Sequence, residues 1–343
     1  MTIGTYKGYH LKKFETLNQR KPYFNLSLKY RNNFSGEPSM TTRRDFLKTA
    51  VAGAAAMSIP LPGYVYAEVP AKSDVVVGKG KAADIIPKLF EKLGGISHFI
   101  KTGSRVMIKP NMGFANPPEW ATTTSPEAVY VISKLCLDAG AKRVIICDNT
   151  LRDSEICKQK TGIVDAVKSL KGTTVFTPTE HQPNFFEEKT CSKATQLART
   201  EVVKELARTD VLICVPIAKS HAAGQVSFGI KGLMGLVRDR GVMHREMDLH
   251  MAIAEQLYYI KPALTIIDGS RALLDNGPAG PGKVVELNTF AASIDPVAAD
   301  SFGVTLAAWN GRKCEGKNIK HLENAGKLGF GNVESSKINE IPV

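Results

Sequence analysis

Six cysteines stand at positions 136, 147, 157, 191, 214 and 314, and no two of them form a C-x-x-C pair. That spacing excludes a zinc ribbon and the clusters of a ferredoxin-like module, and no covalent-haem motif is present, so no iron–sulfur cluster or attached haem is expected. H-E-x-x-H is also missing, since His244 and His250 stand six apart, and no zinc-hydrolase site is readable. Two phosphate-binding motifs fail on inspection. Gly78-Lys79-Gly80-Lys81-Ala82-Ala83 follows a strand as a dinucleotide fingerprint does, but the next strand ends in Lys109 where a ribose-binding acid is needed. Gly277-Pro278-Ala279-Gly280-Pro281-Gly282-Lys283-Val284 is one residue short of a P-loop; Val284 has no hydroxyl for Mg²⁺, and two prolines remove backbone donors. Internal repeats and low-complexity linkers are absent as well.

What is present is ordinary for a soluble globular chain of 343 residues, with 43% hydrophobic and 23% charged content. The net charge of +12 is concentrated at one end: residues 1–67 carry ten Lys/Arg against three Asp/Glu, leaving +5 for the remainder. The basic balance is therefore a leader property, and nucleic acid is not an expected partner. Thr42-Arg43-Arg44-Asp45-Phe46-Leu47-Lys48 precedes a short, alanine-rich apolar run. Arg43, Arg44, Phe46 and Leu47 resemble the twin-arginine export signal, which implies the twin-arginine translocase as a partner and a periplasmic or extracytoplasmic location. Cleavage after Ala67 would leave a mature domain, 68–343, with no stable membrane span, because the apolar run is too short to anchor. An uncleaved N-terminal anchor is the alternative. Met40 lies two residues before the motif, so 40–67 reads as the signal peptide and 1–39 as a mis-called extension.

Beyond residue 73, short β-branched runs alternate with segments of helical period. Strands are expected at 74–78, 105–110, 143–148, 173–177, 211–216, 263–268 and 288–294, with helices near 81–93, 125–139, 160–169, 199–208, 228–238, 248–260 and 295–309. The strands are continuous apolar runs, as burial on both faces requires. The expected fold is α/β, a mostly parallel sheet with helices on both faces in a single mature domain.

Ligands of open α/β sheets sit outside the carboxyl ends of the strands. Lys109 and Asn111 follow the second strand, Asp148 the third, Lys219 and His221 the fifth, and Asp268 the sixth. Asp295 before Pro296 reads as a helix cap, and Asp148-Asn149 as either a turn or a site. Lys219-Ser220-His221 is expected in an uncovered, glycine-flanked loop, and His221 suits proton transfer near neutral pH. Glycines 224, 229, 232, 235 and 241 surround Lys231 and precede His244; they imply close backbone approach to a ligand or to another helix. His244 is either a surface histidine or a catalytic one.

Lys109-Pro110-Asn111, Thr124-Ser125-Pro126-Glu127, Ala139-Gly140-Ala141 and Val215-Pro216 through Lys219 and His221 occur in this order. Lys231-Gly232-Leu233-Met234-Gly235, Asp268-Gly269, Asn276-Gly277-Pro278 and Asp295-Pro296-Val297-Ala298-Ala299-Asp300 follow. Together they resemble the domain of unknown function 362 family over about 75–310. The resemblance implies the fold and the cleft without naming a reaction. Gly232 stands where it implies asparagine, so an amide beside Lys231 is not carried over; nor is the ferredoxin-like module of some relatives.

The leading expectation is an exported enzyme acting on a small anionic ligand. Lys109, Lys231, Asn111, Asn276 and Asp148 would bind it, and His221, Lys219, His244 and Asp268 would carry acid–base chemistry. A noncovalent cofactor- or metal-carrying redox protein and a non-catalytic periplasmic binding or maturation factor are the alternatives.

Overall fold

The computed structural model describes residues 70–343. The export segment with Arg43, Arg44, Phe46 and Leu47, the cleavage after Ala67 and the reading of 1–39 lie outside the described residues. Among the described residues no helix is long and apolar enough to cross a membrane.

The strands are β1 (Ser73–Lys79), β2 (Arg105–Pro110), β3 (Arg143–Cys147), β4 (Thr173–Phe176), β5 (Phe186–Thr190) and β6 (Arg199–Val203). After them come β7 (Val211–Val215), β8 (Ile217–His221), β9 (Gln225–Ser227), β10 (Leu264–Leu273), β11 (Val284–Ser293) and β12 (Ile338–Pro342). The large sheet runs β12-β1-β11-β10-β7-β2-β3-β4, with β8 beside β10 and β9 beside β8; β5 and β6 form a separate two-stranded sheet. From β10 through β7, β2 and β3 to β4 every pairing is parallel, and β11 is inserted antiparallel between β1 and β10.

Side chains alternate across these strands, and both faces are buried. Val106, Ile108, Val144, Ile146 and Ile213 pack on one side, while Met107, Ile145, Cys147, Leu212 and Cys214 pack on the other. The first face is covered by α1 (Ala82–Lys92) and α3 (Pro126–Asp138), with α2 (Ile96–Phe99) between them; α4 (Ser154–Lys160) and α5 (Ile163–Val167) follow. In α3 the buried Ala128, Val129, Ile132 and Cys136 recur at helical spacing, and full burial of a Val- or Ile-sized side chain contributes about 1.5–3 kcal/mol. On the opposite side lie α6 (Gly229–Gly232), α7 (Arg240–Arg245), α8 (Leu249–Glu255), α9 (Pro296–Thr305) and α10 (Lys320–Lys327). Asp295 caps α9, accepting from the N–H groups of Val297 and Ala298 at 2.8 and 2.9 Å.

Four expectations change. Residues 199–208 form β6 and a 3₁₀ turn instead of a helix, because Thr200, Val202 and Val203 are stiff at χ1 and pair with β5. The helix expected at 160–169 shortens to α5, which starts after Gly162 at φ +71°, and α4 at Ser154–Lys160 precedes it where no helix was expected. The helix expected at 228–238 shortens to α6 and a 3₁₀ turn over Leu233–Leu236, as its glycines predispose. Lys219, Ser220 and His221 lie in β8, not in a loop. Pro216 separates β7 from β8, and its carbonyl accepts from Asp268 N–H at 2.8 Å, so the chain resumes beside β10. All six cysteines are free thiols.

Candidate functional site

The polar residues at these strand ends are buried, contrary to the uncovered loop expected from the sequence. Lys109 is 1% exposed, Lys219 3%, His221 7% and Lys231 8%. With Asn111, Asp148, Arg240 and His244 they line one cavity of about 270 Å³, completed by Phe114, Ser227, Met234 and Pro278. A larger hollow of about 490 Å³, between Phe176 and Phe185, gathers none of the residues expected to act.

The floor is a buried ion pair. Lys109 Nζ lies 3.1 Å from Asp148 Oδ1 and donates to Pro110 O at 2.6 Å, while Asp148 Oδ2 accepts from Met112 N–H at 2.8 Å. Gly235 permits this approach. A Cβ there would stand 1.9 Å from Asp148 Oδ1 and 2.7 Å from Lys109 Cε, and the Gly235 carbonyl accepts from Asn149 N–H. Asn111 Oδ1 accepts from Ile217 N–H at 3.0 Å, and its Nδ2 lies 3.4 Å from where a Gly232 side chain would begin. An amide therefore reaches the Lys231 helix from across the cavity, even though position 232 has none.

Three cations remain beyond that pair. Lys219 Nζ donates to Thr122 O at 2.6 Å and sits 5.6 Å from the centre of the Phe114 ring. Burial, opposed in part by Asp148, lowers the Lys219 amine to about 7. Lys231 is also lowered to about 7, by burial first and then by the Arg240 and Lys109 charges. Its amine makes no hydrogen bond or ion pair among the described residues. Burial lowers the Arg240 guanidinium as well.

The two histidines carry opposite tautomers. Gly224 N–H donates to His221 Nδ1 at 3.0 Å, so the neutral ring holds its proton on Nε2. Burial, then the Lys231 and Lys219 charges, pushes this imidazole down to about 2 and keeps it neutral. His244 Nδ1 lies 2.8 Å from Arg240 O, one helical turn back in α7. A carbonyl only accepts, so Nδ1 carries the proton and Nε2 keeps a lone pair. His244 is exposed at the rim, and its pKa is lowered by desolvation. The rings are 6.4 Å apart and 25° from parallel. One neutral imidazole is thus a fixed donor and the other a fixed acceptor.

Two expected site residues lie elsewhere. Asp268 is fully buried but does not line the cavity; it accepts from Ser125 N–H at 2.7 Å, at the start of α3, and from Ser270 N–H at 3.0 Å. It ties β10 to a helix terminus, where backbone dipoles favour a carboxylate. Asn276 is exposed with φ +52°, because Gly277 docks its backbone on β8, where a Cβ would meet Ser220 O at 1.9 Å. Pro278 reaches the cavity in its place.

Other contributors were not recognised in the sequence. Arg240 lies four residues before His244 in α7, a helical spacing that was legible. Asp300 accepts from Gly229 and Ile230 N–H, both at 2.8 Å, and so anchors the turn that presents Lys231. Burial raises this carboxyl to about 7. Nothing in the sequence marks that contact, because it joins α9 to α6. Among the described residues no three His, Cys, Asp or Glu side chains converge as a metal cage requires.

Fold and site together define a parallel-sheet α/β protein with a lysine- and histidine-lined cavity at its strand ends. The chain belongs to the family described as "Domain of unknown function (DUF362)", which matches residues 106–305. Residues 40–60 match the TAT (twin-arginine translocation) pathway signal sequence, and the protein is exported by that route. It is similar to the thylakoid-associated protein sll1697 of Synechocystis sp., with 29% identity over 219 residues, or 62% of this chain and 65% of the relative. The chain thus spans slightly less than two thirds of that relative's length. A solved structure, the lactate racemase apoprotein from Thermoanaerobacterium thermosaccharolyticum, aligns with a TM-score of 0.42 at 14% identity, over 66% of this chain and 55% of that one.

Proposed function

We propose that this exported protein is an enzyme that moves a proton at a carbon of a small anionic substrate held in the strand-end cavity. The observation that carries this reading is the pair of fixed tautomers, His221 a donor and His244 an acceptor at Nε2, beside three cations that no carboxylate of the described residues pairs. A substrate carboxylate or phosphate supplies the compensating charge to Lys219, Lys231 and Arg240. Asn111 stands ready to orient it, and the Lys109–Asp148 pair fixes the floor. With its lone pair, His244 Nε2 is the base; His221 Nε2–H is the acid or the hydrogen-bond donor to the developing charge. A volume of about 270 Å³, roughly nine waters at about 30 Å³ each, suits a small metabolite.

The test is deuterium exchange in D₂O, followed by proton NMR, over small hydroxy- and oxo-carboxylates and phosphate monoesters. Wild-type protein is expected to exchange a carbon-bound hydrogen of at least one compound, and His244→Gln to slow that exchange by about 10²-fold or more. A set of ligands that bind without any exchange would instead leave a binding or maturation factor.

A further inference from the structure

Lys231 differs from the other cavity lysines. Lys109 is paired with Asp148, and Lys219 is held by Thr122 O over Phe114, whereas the Lys231 amine has no partner among the described residues. It lines the cavity together with His221 and His244. The Lys231 charge bears on His221, His244, His250 and His321 alike. His250 and His321 stack at 5.9 Å, and three of their ring nitrogens are buried without a hydrogen-bond partner among the described residues. Burial forces His321 down to about 3, so that ring offers no positive charge and no counterion. The Asp300 carboxylate holds the backbone of the Lys231 turn in place. A buried, uncompensated lysine among neutral imidazoles has the environment that activates an amine as a nucleophile.

We propose that Lys231 captures the carbonyl of a small 2-oxo acid as an imine, with Lys219 and Arg240 holding the substrate carboxylate. The proposal rests on the proton-transfer reading above and names its substrate class. The Lys231 amine adds to the C2 carbonyl, forming a C–N bond as the π pair moves to oxygen, to which His221 Nε2–H donates a hydrogen bond; His244 Nε2 takes the surplus proton from nitrogen and returns it to that oxygen, giving the carbinolamine. His244 Nε2, protonated from solvent at the rim, then gives that proton to the hydroxyl, which departs as water while the nitrogen lone pair forms the iminium, with a net uptake of one proton. His244 Nε2 next removes a proton from C3, and the C–H pair runs through the new double bond to nitrogen as an enamine. Reprotonation at C3 and hydrolysis by water return the free amine, with no outside oxidant or reductant.

The test is reductive trapping of the purified 68–343 chain with pyruvate and borohydride, read by intact mass and peptide mapping, beside thermal-shift titration with pyruvate. A reduced adduct on Lys231, absent from Lys231→Arg, is the expected result. That variant keeps the positive charge, and its melting curve shows whether it folds. An adduct on Lys219 or another lysine overturns the assignment. Stabilisation by pyruvate with no adduct overturns the imine but leaves the anion cavity standing. Neither stabilisation nor adduct, with pyruvate and with glyoxylate, overturns the imine and the proposed substrate class together.

Discussion

Lys219 and Lys231 are lowered to about 7 in the fold, against 10.5 in the free side chain. Between about pH 7 and 10 the unfolded chain therefore binds more protons than the folded one, and stability rises with pH. The buried thiols act in the opposite sense. Cys136 and Cys214 are pushed up to about 12 and Cys157 to about 11, so above about pH 9 the unfolded chain ionises first and stability falls. Melting temperature scanned against pH is expected to peak near pH 9 for the ligand-free protein. Anion binding restores charge to Lys219, so it takes up a proton above pH 7 and weakens as pH rises; calorimetry in two buffers of different ionisation enthalpy measures that uptake. For His221, replacement by alanine would orphan the Gly224 N–H at a cost of about 1–3 kcal/mol. Asparagine keeps an acceptor near Nδ1, so His221→Asn is expected to fold with near-normal stability and to lose carbon-hydrogen exchange.

At the scale of elements, the cavity depends on two close approaches. Gly235→Ala drives a methyl into the Lys109–Asp148 pair and is expected to destabilise the protein by on the order of 3 kcal/mol, measured as a lower urea midpoint. Asp300→Ala leaves two buried N–H groups of α6 unpaired, with an expected loss of about 1–3 kcal/mol for each. Because α6 presents Lys231, the same variant is expected to lose reductive trapping even where it remains folded, a result that separates positioning from bulk stability. Much at this scale was legible in the sequence. β2 is the 105–110 run that was expected, and α3 lies within one residue of its predicted ends, because continuous β-branched runs and helical period are local signals. β8 was not legible. Its Lys219-Ser220-His221 is polar, and it is a strand because β10 lies beside its first half and β9 pairs with Lys219, Ser220 and His221.

The six cysteines make no bridge, so stability comes from a sheet buried on both faces and not from staples. Arg43→Lys with Arg44→Lys is expected to leave the protein in the cytoplasm as precursor, detected by fractionation and immunoblot.

The sequence by itself determined the export route, the α/β class, the order of most strands, and seven of the nine expected site residues that meet in the cavity. These are consequences of local pattern and of the rule that strand ends converge. Only the tertiary structure decided that Asp268 ties down α3, that Asn276 faces solvent, and that Arg240 joins the cavity. It alone set the tautomers of His221 and His244 and left Lys231 without a partner. The physical reason is that proton position and pKa depend on which backbone group and which charges lie within a few ångströms, and those neighbours come from distant parts of the chain.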